Sequence, residues 1–309
     1  MDNDTAFPPL SPGMASERFL VRDEQWDERF KPGFNQFIAV TLEFARPVIK
    51  LPVPPARTGN HALFLLTGGT LELIVGQQAT HLVPQTLVIV PAMQIFSIAS
   101  IHPDAAGFMC FFSNETLAGA THNASFDFLR LTNQPVIHLS AQLTDRLSVL
   151  LGRLTLEYSE SGVSRTDIIW PYLQAMLAEI NRVHTGTLPT RTDAGDRLVQ
   201  GFMDLLNTRS QQSGTVSQYA DRLNVSPNHL NKVVRARTGQ SPSVWIDKRR
   251  VLEAKVLLFQ SSLSIGQIAA ELDFADQATF GKLFRRYETI SPSAFRKMIG
   301  ADQSLPGMA

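Results

Sequence analysis

Residues 215–297 carry one pattern twice, and nothing else in the chain narrows the fold as much. The first copy reads TVSQYADRLNVSPNHLNKVVRARTGQSPSVWI and the second SIGQIAAELDFADQATFGKLFRRYETISPSAFR. At an offset of 49, Val216 aligns with Ile265, Ala220 with Ala269, Leu223 with Leu272 and Val225 with Phe274. Beyond that point the offset becomes 50, pairing Leu230 with Phe280, Lys232 with Lys282, Val234 with Phe284, Arg235 with Arg285, Pro242 with Pro292 and Trp245 with Phe295. A one-residue insertion with the pattern kept on both sides is what a loop between two helices tolerates.

In each copy apolar residues recur at helical spacing, break at Asn224 or Asp273, and resume in a second helical run. That is a helix-turn-helix, expected at about 215–238 and 264–287. Ala220 and Ala269 are small enough for the second helix to cross closely over the first, and Asn or Asp is the non-glycine type that best tolerates positive φ at the turn. Leu230, Val233 and Val234 point inward in the first copy, Phe280, Leu283 and Phe284 in the second. The opposite face is left to Asn228, His229, Asn231, Lys232 and Arg235, and to Gln277, Thr279, Lys282, Arg285 and Arg286. Side chains of these types read base edges or grip phosphate.

Residues 196–298 resemble the DNA-binding domain of the AraC/XylS family of bacterial transcription regulators, in which two helix-turn-helix units are joined by a long helix. The resemblance is carried by Ala220, Leu223, Ser226, Leu230, Gly239, Arg250, Ala254, Leu257, Leu258, Ile265, Ile268, Ala269, Phe274, Phe280, Phe284, Pro292 and Arg296. It covers about a third of the chain. Asp273 and Thr289 stand where the family usually has Gly. Asp is acceptable in a turn; β-branched Thr is not at positive φ, so the backbone near 289 is expected to depart from the family's.

Charge divides along the same line. From Asp196 to the end there are 15 Lys and Arg against 10 Asp and Glu, a net of +5, which leaves 13 against 18, a net of −5, for the first 195 residues. A basic module on an acidic partner suits nucleic-acid binding by one part only. The 309 residues, 44% apolar and 18% charged, are enough for two globular domains. The single cysteine, Cys110, excludes an intramolecular disulfide; its setting, GFMCFF, is a buried-strand pattern in which Cys packs as a small hydrophobe. No apolar run is long enough for a membrane span, and the acidic, proline-bearing stretch 1–14 does not support the expectation of a signal peptide.

Between 34 and 115 short runs rich in β-branched and aromatic residues (FNQFIAVTLEF, HALFLLTGG, TLELIVGQQ, ATHLVP, QTLVIVP, QIFSIAS, GFMCFFS) alternate with Gly, Pro and polar breaks, which predicts an antiparallel barrel or sandwich. In pattern this stretch resembles the cupin-like sensor barrel of many AraC/XylS members. Metal-binding cupins converge a His-x-His pair, a Glu and a later His on one cation. Here His61, His81 and His102 are isolated, Glu72 alternates with apolar neighbours, and Met93 and Gln94 stand near the place where such barrels often have a His. No metal site, catalytic residue or cofactor is therefore expected. Residues 140–187 return to helical period, with one stripe at Leu143, Leu147, Leu150, Leu151, Leu154 and Tyr158 and another at Ile169, Leu173, Met176, Leu177, Ile180 and Val183, a hairpin in which Pro171 lies near a helix start or makes a kink.

The expected organisation is a lead-in (1–33), a cupin-like effector-sensing β-barrel (34–139), a helical hairpin (140–187), a linker (188–195), an all-α DNA-binding domain (196–300) and a tail (301–309). In it, helices 227–237 and 277–287 enter successive major grooves, held apart by a long helix from 241 to 260 whose Arg249 and Arg250 could serve ion pairs or DNA equally. By resemblance the partners are double-stranded operator or promoter DNA, a small-molecule effector, a second copy of the chain through the hairpin, and RNA polymerase, in the cytoplasm and away from any membrane. The alternative is a cupin-type metal-dependent enzyme with an accessory helical domain; an architectural DNA-bending protein would not need an apolar-lined barrel.

Overall fold

The computed structural model describes residues 18–21, 33, 36–114, 116, 126–129, 136–187, 193–207 and 214–301. Most of the expected lead-in, residues 188–192 of the linker and the tail beyond 301 lie outside them. The chain divides into two compact units, one taking the bulk of residues 8–188 and the other residues 189–309.

In the first unit the alternating runs become strands β1 (Phe37–Thr41), β2 (Val53–Arg57), β3 (His61–Gly68), β4 (Leu71–Val75), β5 (Gln78–Leu82), β6 (Thr86–Val90), β7 (Ile95–Ile101), β8 (Ala106–Phe112) and β9 (Val136–His138). They form a five-stranded sheet in the order β1-β8-β3-β6-β9 and a four-stranded sheet in the order β2-β7-β4-β5. The register sorts side chains by face, because directly opposed residues share a side. Phe37, Ala39, Cys110, Phe112, His61 and Leu63 fall on one side of the larger sheet, Val40, Met109, Ala62, Phe64 and Val88 on the other. Phe64 contacts Phe96 of the smaller sheet at 6.3 Å between ring centres, so this second face meets the other sheet.

Two strands have no counterpart among the quoted apolar runs, for physical reasons. β2 reads VPPAR and survives its two prolines as an outer strand of its sheet, where missing N–H groups interrupt no ladder. β9 is three residues long. Conversely, LEF in the run after β1 is not extended: Thr41 accepts a hydrogen bond from the Phe44 N–H and starts a one-turn helix, α1 (Leu42–Ala45).

The hairpin follows as α2 (Ala141–Ser161), capped by the Ser140 hydroxyl, and α3 (Thr166–Thr187), with Pro171 inside its second turn. Both apolar stripes are buried against each other and the larger sheet, in one core with the strands; Phe37 meets Tyr158 edge to face. What α2 leaves outside is Val149, 72% exposed, and Leu156, 44% exposed. Cys110 is buried as expected, and burial pushes its thiol far above the ordinary range.

In the second unit Asp193 caps α4 (Ala194–Asn207) by accepting from the Asp196 N–H at 2.8 Å, so the helix begins two residues inside the expected linker. The duplicated segments form α5 (Val216–Arg222), α6 (Pro227–Thr238), α7 (Pro242–Gln260), α8 (Ile265–Glu271), α9 (Gln277–Glu288) and α10 (Pro292–Ala301). The first copy packs Tyr219, Ala220, Leu230 and Val234 with Phe202 and Leu206 of α4 and Ile246 of α7. In the second an aromatic chain, Phe274, Phe280, Phe284 and Phe295, runs with ring centres 5.3 to 5.8 Å apart.

Candidate nucleic-acid interface

The two copies repeat down to single hydrogen bonds. Thr215 opens α5 with a capping box, its hydroxyl accepting from the Gln218 N–H while the Gln218 side chain accepts from the Thr215 N–H. Ser264 and Gln267 do the same for α8. The sequence signal is plain in TVSQ and SIGQ. Each first helix ends in the same left-handed turn: Asn224 at φ 53° and Asp273 at φ 56°. Val225 N–H then donates to the Ala220 carbonyl at 3.0 Å, and Phe274 N–H to that of Ala269 at 2.9 Å. These bonds satisfy carbonyls that a helix end otherwise orphans.

From there the copies diverge by one residue. Ser226, following Val225 directly, caps α6 by accepting from His229 N–H at 3.2 Å. In the second copy exposed Ala275 intervenes, and Asp276 caps α9, accepting from Thr279 N–H at 2.7 Å. The change of offset from 49 to 50 is this alanine. Asp276 also accepts from the Thr279 hydroxyl at 3.1 Å, and these two bonds hold its carboxyl below the usual range.

The faces sort as the spacing predicts. Leu230 and Val234 are buried under α6, Phe280 and Phe284 under α9, with Val233 and Leu283 half-buried. Asn228, His229, Lys232 and Arg235 are exposed on α6; Gln277, Thr279, Lys282, Arg285 and Arg286 are exposed on α9. Three of the ten are partly committed to the protein: half-buried Asn231 donates to the Pro227 carbonyl at 3.1 Å, Thr279 is held by Asp276, and the Arg286 guanidinium lies 5.8 Å from the centre of the Tyr287 ring. Among the described residues no ion pair engages Lys232, Arg235, Lys282 or Arg285.

Of the two cations left open on α7, Arg249 is spent on an internal ion pair. Arg249 is 1% exposed and pairs with Glu253 at 2.8 Å. Arg250 lies 5.5 Å from the centre of the Phe274 ring, Lys255 pairs with Glu288 at 3.0 Å, and Lys248 donates to the Gln240 side chain at 2.9 Å. These charges hold the strut to the two reading heads. With 19 residues, α7 is about 28 Å long, close to the ~34 Å that separates successive major grooves on one face of B-DNA.

The backbone at 289 corrects the expectation drawn from its side chain. Thr289 caps α9 in the left-handed region, φ 62° and ψ −20°, nearly as Gly239 caps α6 at φ 74° and ψ −6°. Both cap N–H groups donate to the carbonyl four residues back, Arg235 or Arg285. The repeat's geometry overrides the local preference of threonine.

In the first unit the isolated histidines have separate settings. His61 Nδ1 accepts from the Ala92 N–H at 3.0 Å, and its Nε2 lies 2.8 Å from Asn114 Oδ1. His81 sits 3.7 Å from Glu72 on exposed surface, and His102 3.7 Å from Asp104. Among the described residues no three His, Cys, Asp or Glu side chains converge as metal ligands. Gln94 is buried and Met93 adopts φ 69°.

The helix-turn-helix domain family matches residues 219–298. The lactose operon transcription activator of Staphylococcus xylosus is 27% identical over 137 residues, 44% of this chain and 49% of that protein. The Msm operon regulatory protein of Streptococcus mutans is 30% identical over 131 residues, 42% of this chain and 46% of that protein. The chain thus spans about half the length of the curated relatives it matches. Among solved structures, unsaturated fatty acid-bound ToxT from Vibrio cholerae aligns over 85% of this chain and 95% of its own, at 15% identity and a TM-score of 0.41.

Proposed function

We propose that this chain, whose C-terminal module is a helix-turn-helix domain of the AraC/XylS type, is a sequence-specific DNA-binding transcription regulator that answers to a small-molecule effector. The observation that carries the reading is the pair of equivalent exposed faces, Lys232 with Arg235 and Lys282 with Arg285, on two units joined by one 19-residue helix. Base edges in a major groove take a helix of this kind, and cations beside them neutralise phosphate. Two heads on one strut read a site of roughly 17 base pairs or more per protomer. The matched relatives, one named an operon activator and the other an operon regulatory protein, support the same class and lend nothing to the metal-enzyme alternative.

The effector belongs to the β-rich unit, and RNA polymerase is the partner through which an activator of this type would act. A chromosomal target places the protein in the cytoplasm; no described helix is long and apolar enough to cross a membrane. A second copy of the chain is assigned to the outer face of α2. Val149, Gly152 and Leu156 lie at i, i+3 and i+7, and a Cβ at Gly152 would meet nothing within 4 Å. Antiparallel pairing centred there sets Val149 against the partner's Leu156 and brings exposed Arg146 toward the partner's Glu160, opposite charges at both ends of the seam. The deciding experiment is selection of bound sequences from random double-stranded DNA with the full chain. Recovery of a two-part motif with its halves about one helical turn apart is expected; an unenriched pool sinks the reading.

A further inference from the structure

A cavity of about 120 Å³ lies between the start of β1 and the turn of the helical hairpin, outside the space between the two sheets. Its lining comes from two sources. Gln36, Phe37 and Thr116 belong to the sheet side; Val163, Thr166, Ile169 and Trp170 belong to the hairpin. The sheet side is firmly built: Thr116 donates to the Gln36 carbonyl at 3.1 Å, and the Ser113 N–H donates to the same carbonyl at 2.9 Å. Phe37 and Ile169 are buried and form an apolar floor.

Three polar groups at the cavity are not spent on other described residues. Among the described residues neither the Gln36 side-chain amide, the Thr166 hydroxyl nor the Trp170 indole N–H makes a hydrogen bond. None of the seven lining side chains is ionisable. A water needs roughly 10–15 Å³ measured this way, so the space suits about ten non-hydrogen atoms. Two aromatic rings, an apolar floor and three neutral hydrogen-bonding groups select against a charged ligand, since a carboxylate or ammonium would find no counter-charge among the described lining residues.

We propose that this cavity is a binding site for a small uncharged monocyclic compound bearing one or two amide, carbonyl or hydroxyl groups. Regulation through it rests on the transcription-regulator reading above; binding itself does not. A ligand here touches both the sheet and the first turns of α3. It therefore favours one placement of the hairpin on the sheet, and the hairpin carries the Val149–Leu156 face assigned to the second copy. Only such a preference between arrangements can change DNA affinity.

Benzamide serves as the neutral probe and benzoate, its charged isostere, as the control. Calorimetry and saturation-transfer NMR on the full chain should detect benzamide binding in the millimolar range or tighter, with benzoate weaker by about tenfold or more. Thr166→Phe, which fills the cavity, and Trp170→Leu, which removes a wall and a donor, should each weaken benzamide by about tenfold or more. Val83→Gln, on the exposed turn between β5 and β6, should leave its affinity unchanged. No benzamide binding by the wild type, equal binding of benzoate, or indifference to whichever of the two cavity substitutions retains the wild-type melting temperature overturns the site. If benzamide binds as expected but leaves the affinity for selected DNA unchanged, the site stands and its regulatory role falls. If no DNA is selected at all, the regulator reading falls and the site is judged on its binding data alone.

Discussion

Gly239 and Thr289 occupy the same left-handed cap at the ends of α6 and α9, and only one of them is a residue that adopts it freely. A non-glycine residue there costs about 1–2 kcal/mol, and a β-branched one is worse placed than most. A Cβ at 239 would meet nothing within 4 Å, so a substitution there is felt through the backbone alone. Thr289→Gly should therefore stabilise the C-terminal unit by about 1 kcal/mol, after the added flexibility of the unfolded chain is subtracted, and Gly239→Thr should destabilise it by about 1–2 kcal/mol. Urea unfolding of the three proteins measures both; a destabilised Thr289→Gly would show that the threonine contributes something beyond its dihedral angle.

The DNA face makes a sharper demand. Lys232→Ala and Lys282→Ala should each weaken binding to a selected site by about 1–3 kcal/mol if the lysine reads a base, and the loss should shrink on unrelated DNA. A loss equal on every sequence assigns the lysine to phosphate. Arg235 and Arg285, almost a turn further on, should behave in that second way. For the wild type, affinity should fall by about 10³-fold or more between roughly 50 and 200 mM salt if some six phosphates are neutralised. Binding indifferent to salt would remove the electrostatic basis of the interface.

How much of this was legible depends on which force decides each element. The helices of the duplicated region were readable because period and turn chemistry agree in both copies, with the break at Asn224 and Asp273; the TVSQ and SIGQ capping boxes are a further signal, recognised only in the structure. The alternation from Leu71 to Leu82 was readable because one face is buried and the other wet. β2 was not: VPPAR has no period, and its place at a sheet edge is a tertiary fact. Thr289 was misjudged because its intrinsic preference was weighed without the Gly239 geometry that the repeat imposes. The cavity at the hairpin turn gives no signal in sequence, since its lining is drawn from residues as far apart as Gln36 and Trp170. The apolar stripes of α2 and α3 were found but serve the protomer's own core; the face left for a partner rests on two isolated residues.

The ion pair inside the strut gives a third prediction. Arg249 and Glu253 are both buried one turn apart on α7, and Arg249 also reaches Asn207 Oδ1 at 3.4 Å on α4. Removing either partner leaves an uncompensated charge, so Arg249→Ala or Glu253→Ala should cost about 3–5 kcal/mol. The double replacement Arg249→Met with Glu253→Leu should recover most of that loss, because the desolvation of both charges disappears with them. Denaturant unfolding of the singles and the double settles it. A double mutant as unstable as the sum of the singles would mean that the two charges are not coupled and that each is held by other partners.

Self-association through α2 is tested by charge at its apolar points. Val149→Glu and Leu156→Glu stand on the exposed face, away from the buried stripe, so the folded protomer should tolerate them. Light scattering at tens of micromolar should give a dimer for the wild type and a monomer for the pair of substitutions. A dimer that survives both moves the contact elsewhere; a wild-type monomer removes it.

His61 makes the stability of the β-rich unit depend on pH. Its ring is buried, stacked 5.2 Å from Phe112, accepting from the Ala92 N–H at Nδ1 and, as the neutral tautomer this requires, donating from Nε2 to Asn114. Burial lowers its pKa from the ordinary 6.5, and the Asn114 bond opposes that shift only in part. Above pH 6.5 both folded and unfolded chains carry the neutral ring, and the full stability is present. As the pH falls below that value the unfolded chain takes up a proton that the folded one resists, so stability is lost progressively, by at most about 1.4 kcal/mol per pH unit until the lowered folded pKa is reached. His61→Gln offers a neutral amide to the same two partners and cannot titrate. Thermal unfolding of both proteins from about pH 7.5 down to about 5.5 should therefore show the wild type losing stability faster than the variant, whatever other groups contribute to the common slope. Parallel curves would mean that His61 accepts its proton in the folded state, with the Ala92 N–H turned away from the ring.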